Sequence, residues 1–156
     1  WMKVFISHKQ EDAVTANQIA NELDSIHVDY YLDLLDPTVT KSGKMLTEHI
    51  RKNLNTCTDI IVIMSEITRY FQWVPFEVGM AAQVDLPTAT FLKDSVLLPD
   101  FLQYWPRLKR PSDIRKYVSV RKEVDQEYRN YRSIFENSAY QKTKTERFYD
   151  VLKQQL

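Results

Sequence analysis

The sequence predicts an α/β fold: a doubly wound parallel sheet with helices on both faces. Segments with strand character alternate with helical segments from residue 3 to about residue 92, and this order is typical of right-handed β-α-β units. Residues 59–65 (D-I-I-V-I-M-S) contain five consecutive apolar positions, as expected of a central parallel strand that is covered on both faces.

The elements of this region follow one another with short connections. The first helix has the clearest pattern, because Ala16, Ile19, Ala20 and Leu23 recur at helical spacing. Asp12 precedes this helix and is placed to be its N-cap. Strands are predicted at residues 3–7, 28–32, 59–65 and 88–92, and helices at residues 13–25, 44–54 and 76–84.

The C-terminal part is less regular. Residues 114–118 are predicted to form a last edge strand, and Val124, Tyr128, Tyr131 and Phe135 then fall at helical spacings. A final helix is predicted after an interruption at residues 137 and 138. We therefore expect one domain, in which residues 2–118 form the α/β unit and residues 119–156 form a helical segment packed on it.

Composition narrows the classes of function. The chain has 156 residues and a net charge of zero, with 21 basic and 21 acidic side chains, which argues against a nucleic-acid or membrane-surface protein. Cys57 is the only cysteine, so we expect a reducing, cytoplasmic location and a thiol that acts as a small buried hydrophobe. The longest apolar run, residues 60–64, is too short to span a bilayer.

Several common kinds of active site do not fit the sequence. Two glycines are too few for a glycine-rich phosphate loop of the Rossmann or P-loop type. His8, His27 and His49 lie on three different predicted elements, so no metal site is expected. Ser7 and Ser65 end predicted strands, but neither lies in a G-x-S-x-G turn.

Polar and aromatic residues follow three of the predicted strands. Because parallel strands bring their carboxyl ends to one edge, where such sheets bind ligands, we expect these residues to lie close together. A carboxylate among hydroxyl groups and aromatic faces suits a sugar or nucleoside, since chemistry at an anomeric carbon needs an acid to stabilise or trap positive charge. The alternative for Glu77 is a favourable interaction with the helix dipole. The residues are Ser7, His8, Asp33, Asp36, Ser65, Trp73 and Glu77.

Four segments, in order, resemble Toll/interleukin-1 receptor (TIR) domains. Residues 5–8 (F-I-S-H) with Glu11 and Asp12 resemble the first box of that family, and residues 36–50 resemble its second-strand loop and following helix. Residues 60–65 resemble its third strand, and residues 73–77 match its W-x-x-x-E segment. The resemblance covers residues 3–92 and implies a flavodoxin-like fold with a five-stranded parallel sheet.

The resemblance also implies an activity. Glu77 corresponds to the glutamate with which enzymatic TIR domains cleave NAD at the nicotinamide–ribose bond, so NAD is expected as a substrate and no cofactor is expected. The family's assemblies stack domains so that the loop at residues 33–43 completes a neighbour's site, which implies self-association. The residues expected to bind the substrate are Phe5, Ser7, His8, Asp36, Lys44 and Trp73.

The sequence departs from the family at two places. Val74 stands where the family usually has a small or cysteine residue after the tryptophan, and Pro75 follows it. Lys44 stands where many members have an acid after the glycine. Residues 76–81 (F-E-V-G-M-A) are also similar to the E-x-G-x-A segment of nucleoside deoxyribosyltransferases, whose glutamate acts at the same kind of carbon.

The expected function is therefore that of an NAD-consuming TIR protein. Stand-alone TIR proteins resemble the signal-producing components of bacterial anti-phage systems of the Thoeris type, in which an ADP-ribose-derived messenger activates a separate effector protein. Two alternatives stay open at this point: a nucleoside or nucleotide N-glycosylase or deoxyribosyltransferase that uses the same glutamate, and a non-catalytic TIR interaction scaffold.

Overall fold

The computed structural model describes residues 1–34, 43–70, 79, 81, 85–93, 95–129 and 138–156. Within these residues, five strands form one sheet in the order β2-β1-β3-β4-β5, and all neighbouring strands are parallel. This is the flavodoxin-like order, so the predicted fold class is confirmed. The strands are β1 (Lys3–His8), β2 (Asp29–Leu34), β3 (Asp59–Ile63), β4 (Thr88–Phe91) and β5 (Arg107–Leu108).

Helices cover both faces of this sheet. The described residues contain four helices: α1 (Ala13–Ser25), α2 (Gly43–Leu54), α3 (Asp113–Arg129) and α4 (Ser138–Gln155). Successive side chains of β1 point to opposite faces: Val4 packs with α1, α3 and α4, whereas Phe5 packs with α2. None of these helices is long and apolar enough to cross a membrane. Gly79 and Ala81 are helical, but most of the predicted helix at residues 76–84 lies outside the described residues.

The predicted edge strand at residues 114–118 is wrong. Helix α3 begins at Asp113, and the edge strand is the two-residue β5, which lies shortly before it. The buried Asp113 carboxylate accepts hydrogen bonds from the backbone N–H groups of Lys109 and Arg110 at 2.9 and 3.2 Å, and it holds the turn that leads into the helix. Ile114 and Tyr117 are fully buried at helical spacing, so packing outweighs the strand-like composition of this segment.

The C-terminal region forms two helices that pack on the sheet. Helix α3 ends at Arg129, so the predicted helical positions Tyr131 and Phe135 lie outside the described residues. Helix α4 buries Phe148 and Leu152 in the same core as β1. The division between residues 118 and 119 stays a prediction, although α3 runs through it.

A buried charged network joins α3 to the amino end of β3. The Asp59 carboxylate has no exposed surface, and it accepts hydrogen bonds from the Tyr117 hydroxyl and from Arg121 Nε, both at 2.7 Å. Burial alone would lower the pKa of Arg121, but the Asp59 carboxylate raises it above its usual value. Asp125 connects this network to α4, because it lies 2.7 Å from Arg121 Nη1 and 2.6 Å from Lys144 Nζ. Buried ion pairs and hydrogen bonds, as well as apolar packing, therefore hold the C-terminal helices against the sheet.

Candidate functional site

The carboxyl ends of β1 and β2 bring three of the predicted site residues together. Ser7 is paired in register with Asp33 of β2, and His8 is the last residue of β1. All three side chains are buried, with 1%, 3% and 6% of the surface of Ser7, Asp33 and His8 exposed. Buried polar groups usually form hydrogen bonds. A buried polar atom at this edge that has no partner in the described part of the chain is therefore a candidate to bind a ligand.

Asp33 forms a pair with a residue that the sequence analysis did not assign to the site. Its Oδ1 lies 2.8 Å from Nε2 of His49 on α2, and Asn53 supports this histidine by donating to the His49 carbonyl at 2.9 Å. The other carboxylate oxygen, Oδ2, is buried and has no hydrogen-bond partner among the described residues. A free acceptor lone pair therefore remains at this edge.

His8 contributes a second unpartnered atom. Its Nδ1 is buried and has no hydrogen-bond partner in the described part of the chain. Burial lowers the pKa of His8 below its usual value of 6.5, although the nearby Asp33 and Asp12 carboxylates oppose this shift. The imidazole is therefore neutral at neutral pH, with one ring nitrogen that donates a hydrogen bond and one that accepts; which role Nδ1 has depends on the tautomer.

The lowered pKa of His8 predicts a pH dependence of stability. The unfolded chain binds a proton at this histidine more readily than the folded chain does, so the contribution of His8 is fully present above about pH 6.5 and is lost as the pH falls below that value. Between about pH 7.5 and 5.5, the free energy of unfolding should fall more in the wild type than in His8→Gln. Urea denaturation at the two pH values measures this difference.

The exposed His27 supplies the control for this experiment. It has a positive φ of 57°, so the matched variant is His27→Asn, because asparagine tolerates that conformation. This variant should keep the pH dependence of the wild type. An equal pH dependence in His8→Gln and the wild type would contradict the prediction.

A third buried contact fixes the loop after β3. The Thr68 hydroxyl donates to Asp12 Oδ2 at 2.5 Å and accepts a hydrogen bond from the Ser65 backbone N–H at 2.8 Å. Asp12 occupies the predicted N-cap position of α1, but its side chain makes no cap hydrogen bond, because the carboxylate holds this loop instead. The loop leads along the chain toward residues 73–77.

The family is decided by a comparison of the whole chain with known protein families. A sequence model of the TIR domain matches residues 4–135. The chain belongs to the TIR domain family. No curated protein sequence matches the chain.

The remaining site predictions can now be placed on the TIR fold. Phe5 is fully buried and stacks on Tyr31 with ring centroids 5.6 Å apart, so its ring serves the core and has no exposed surface for a ligand. Lys44 is at the start of α2, with 85% of its side chain exposed, and its Nζ is 4.0 Å from Glu48. The predicted residues Asp36, Trp73 and Glu77 lie outside the described residues.

Other reactive groups of this TIR domain lie away from the site. Cys57 is buried, and burial raises the pKa of its thiol above the usual value, so the thiol stays protonated and packs as the small hydrophobe that was predicted. In the described part of the chain, no group of three or more histidine, cysteine, aspartate or glutamate side chains could hold a metal ion.

Proposed function

We propose that this TIR domain cleaves NAD at the bond between nicotinamide and ribose, with Glu77 as the catalytic carboxylate. The observation that carries the proposal is the polar edge formed by Ser7, His8 and Asp33 at the carboxyl ends of β1 and β2. In an open α/β sheet this is the edge where ligands bind. The W-x-x-x-E segment comes after β3 in the chain, and the TIR family match spans it.

In the proposed mechanism, the bond between the nicotinamide nitrogen and the ribose C1′ breaks, and its electron pair stays on the nitrogen. Nicotinamide leaves neutral, and positive charge develops on the ribose, where the Glu77 carboxylate stabilises it. Water or another nucleophile then attacks C1′. The unpartnered atoms of the edge are Asp33 Oδ2 and His8 Nδ1. They suit hydrogen bonds with sugar hydroxyl groups, which can both donate and accept, and Ser7 is paired in register with Asp33. Lys44 and Trp73 complete the proposed substrate path.

The product is proposed to be an ADP-ribose derivative, cyclic or conjugated, that acts as a signal in bacterial anti-phage defence and activates a separate effector protein. Self-association through contacts between TIR domains is part of this proposal. Both points rest on the resemblance to TIR proteins of bacterial anti-phage systems.

Nucleoside N-glycosidic chemistry is the second candidate. The E-x-G-x-A segment favours it, and the described residues of that segment, Gly79 and Ala81, are helical, with Ala81 fully buried. This is the placement expected if Glu77 lies in the first turn of that helix.

A substrate panel tests the proposal. The purified protein, at high concentration to favour self-association, is incubated separately with NAD and with a set of deoxynucleosides, and the released base is measured by chromatography. We expect nicotinamide release from NAD and no base release from deoxynucleosides. Base release from deoxynucleosides alone would establish the second candidate, and release from neither would favour a non-catalytic TIR scaffold.

A further inference from the structure

A small cavity lies at the other end of the sheet from the candidate site. Its volume is about 100 Å³, and Asp85, Tyr104, Trp105, Glu146 and Tyr149 are among the residues that line it. The Tyr149 hydroxyl accepts a hydrogen bond from the backbone N–H of Thr88, the first residue of β4, at 2.9 Å. The cavity is therefore at the amino ends of the strands, whereas the polar edge is at their carboxyl ends.

Three aromatic rings form the walls of this cavity. The ring of Tyr104 is nearly perpendicular to that of Trp105, at 87° and 5.2 Å between centroids, and to that of Tyr149, at 89° and 5.8 Å. Because Tyr104 is perpendicular to both of its neighbours, the three rings do not all present the same kind of surface to the cavity. Aromatic faces carry negative partial charge, so such walls attract a cation.

The two charged side chains among the residues that line the cavity have the same sign. Asp85 and Glu146 are acidic, and neither forms an ion pair or hydrogen bond with a described residue. Burial raises the pKa of the Tyr104 hydroxyl, and the carboxylates of Glu146, Asp150 and Asp85 raise it further, so three carboxylates act on a residue that lines the cavity. Lys153 Nζ is 5.7 Å from the Tyr104 ring centroid and donates to the Tyr104 carbonyl at 2.5 Å, but Lys153 is not among the residues that line the cavity.

We propose that this cavity binds the guanidinium group of an arginine side chain that a protein partner presents. A cavity of about 100 Å³ is well below the range of about 300–1,000 Å³ for sites of drug-sized ligands, so it suits one small head group. Arginine suits it better than lysine, because a planar guanidinium both stacks on aromatic rings and forms paired hydrogen bonds with carboxylates.

The exposed rings around the cavity favour a protein-borne arginine over a free small cation. Tyr104 lines the cavity, and Phe101 lies three residues before it in the chain; they leave 56% and 51% of their surface exposed. An arginine that arrives on a polypeptide would cover these rings with its flanking residues. Aromatic residues and arginine are the side chains that most often dominate the energy of protein interfaces.

The test is an NMR titration of the ¹⁵N-labelled chain with the peptide acetyl-Gly-Arg-Gly-amide. The readout is the indole N–H signal of Trp105, which is assigned by its loss in Trp105→Phe. We expect a saturable shift with a millimolar dissociation constant, and no saturable shift with the peptide in which neutral citrulline replaces arginine. Equal effects of the two peptides, or an unchanged Trp105 signal, would overturn the proposal.

Variants and a free cation sharpen the result. The double variant Asp85→Asn and Glu146→Gln should weaken arginine binding on the order of tenfold, and asparagine suits the positive φ of 51° at residue 85. Glu123→Gln, an exposed change on α3, should leave binding unchanged. If tetramethylammonium shifts the Trp105 signal as strongly as the arginine peptide does, the cavity is a site for free cations and the proposal fails.

Discussion

Replacement of Arg121 by leucine is expected to reduce the free energy of unfolding by about 3–5 kcal/mol. The Asp59 carboxylate is fully buried, and Arg121 Nε lies 2.7 Å from it, with 8% of the arginine side chain exposed. Without the guanidinium, the fold must either bury an uncompensated charge or protonate Asp59, and both cost stability. The loss also removes the contact of Arg121 with Asp125, which connects α3 to α4.

Denaturation with urea measures this effect, and a second arginine of α3 provides the control. Arg115 forms an ion pair of the same type, 3.0 Å from Glu22, but 55% of its side chain is exposed. Arg115→Leu should therefore cost about 0–1 kcal/mol. If Arg121→Leu costs no more than Arg115→Leu, the buried network does not fasten the C-terminal helices to the sheet.

Replacement of Glu77 by glutamine is expected to lower the rate of NAD cleavage by a factor of about 10² to 10⁴. An amide has nearly the size of a carboxylate but no charge with which to stabilise the developing positive charge on the ribose. Since that charge appears mainly in the transition state, the loss should fall on kcat, and KM should change little. Initial rates of nicotinamide release over a range of NAD concentrations separate the two constants.

Glu66→Gln is the matched control for this variant. Glu66 is exposed in the turn after β3, so the same chemical change should leave the rate within about twofold of wild type. Urea denaturation of both variants shows whether the fold is kept. A Glu77→Gln protein that is folded and cleaves NAD at the wild-type rate would exclude Glu77 as the catalytic group.

The sheet could be predicted because a strand that is buried on both faces appears in the sequence as a run of apolar residues. The apolar run of β3 and the helical spacing in α1 each report local burial. The edge strand β5 shows no recognisable apolar pattern, because it has only two residues. Residues 114–118 were assigned to a strand from their composition, whereas Asp113 and the packing of Tyr117 make this segment helical.

Part of the candidate site was also predictable, because parallel strands must end at the same edge. This topological rule placed Ser7, His8 and Asp33 together. His49 and Thr68 could not be found in the same way, because their partners are 16 and 56 residues away in the chain. A single histidine on a helix and a single threonine in a turn have no periodic pattern, and only the tertiary structure brings them to Asp33 and Asp12.

The most direct test of the central claim is mass spectrometry of NAD and its derivatives in bacteria that express the wild type or Glu77→Gln, before and after phage infection. We expect that NAD falls, and that nicotinamide and an ADP-ribose derivative rise after infection, only in cells with the wild type. Identical metabolite profiles in the two strains after infection would contradict it.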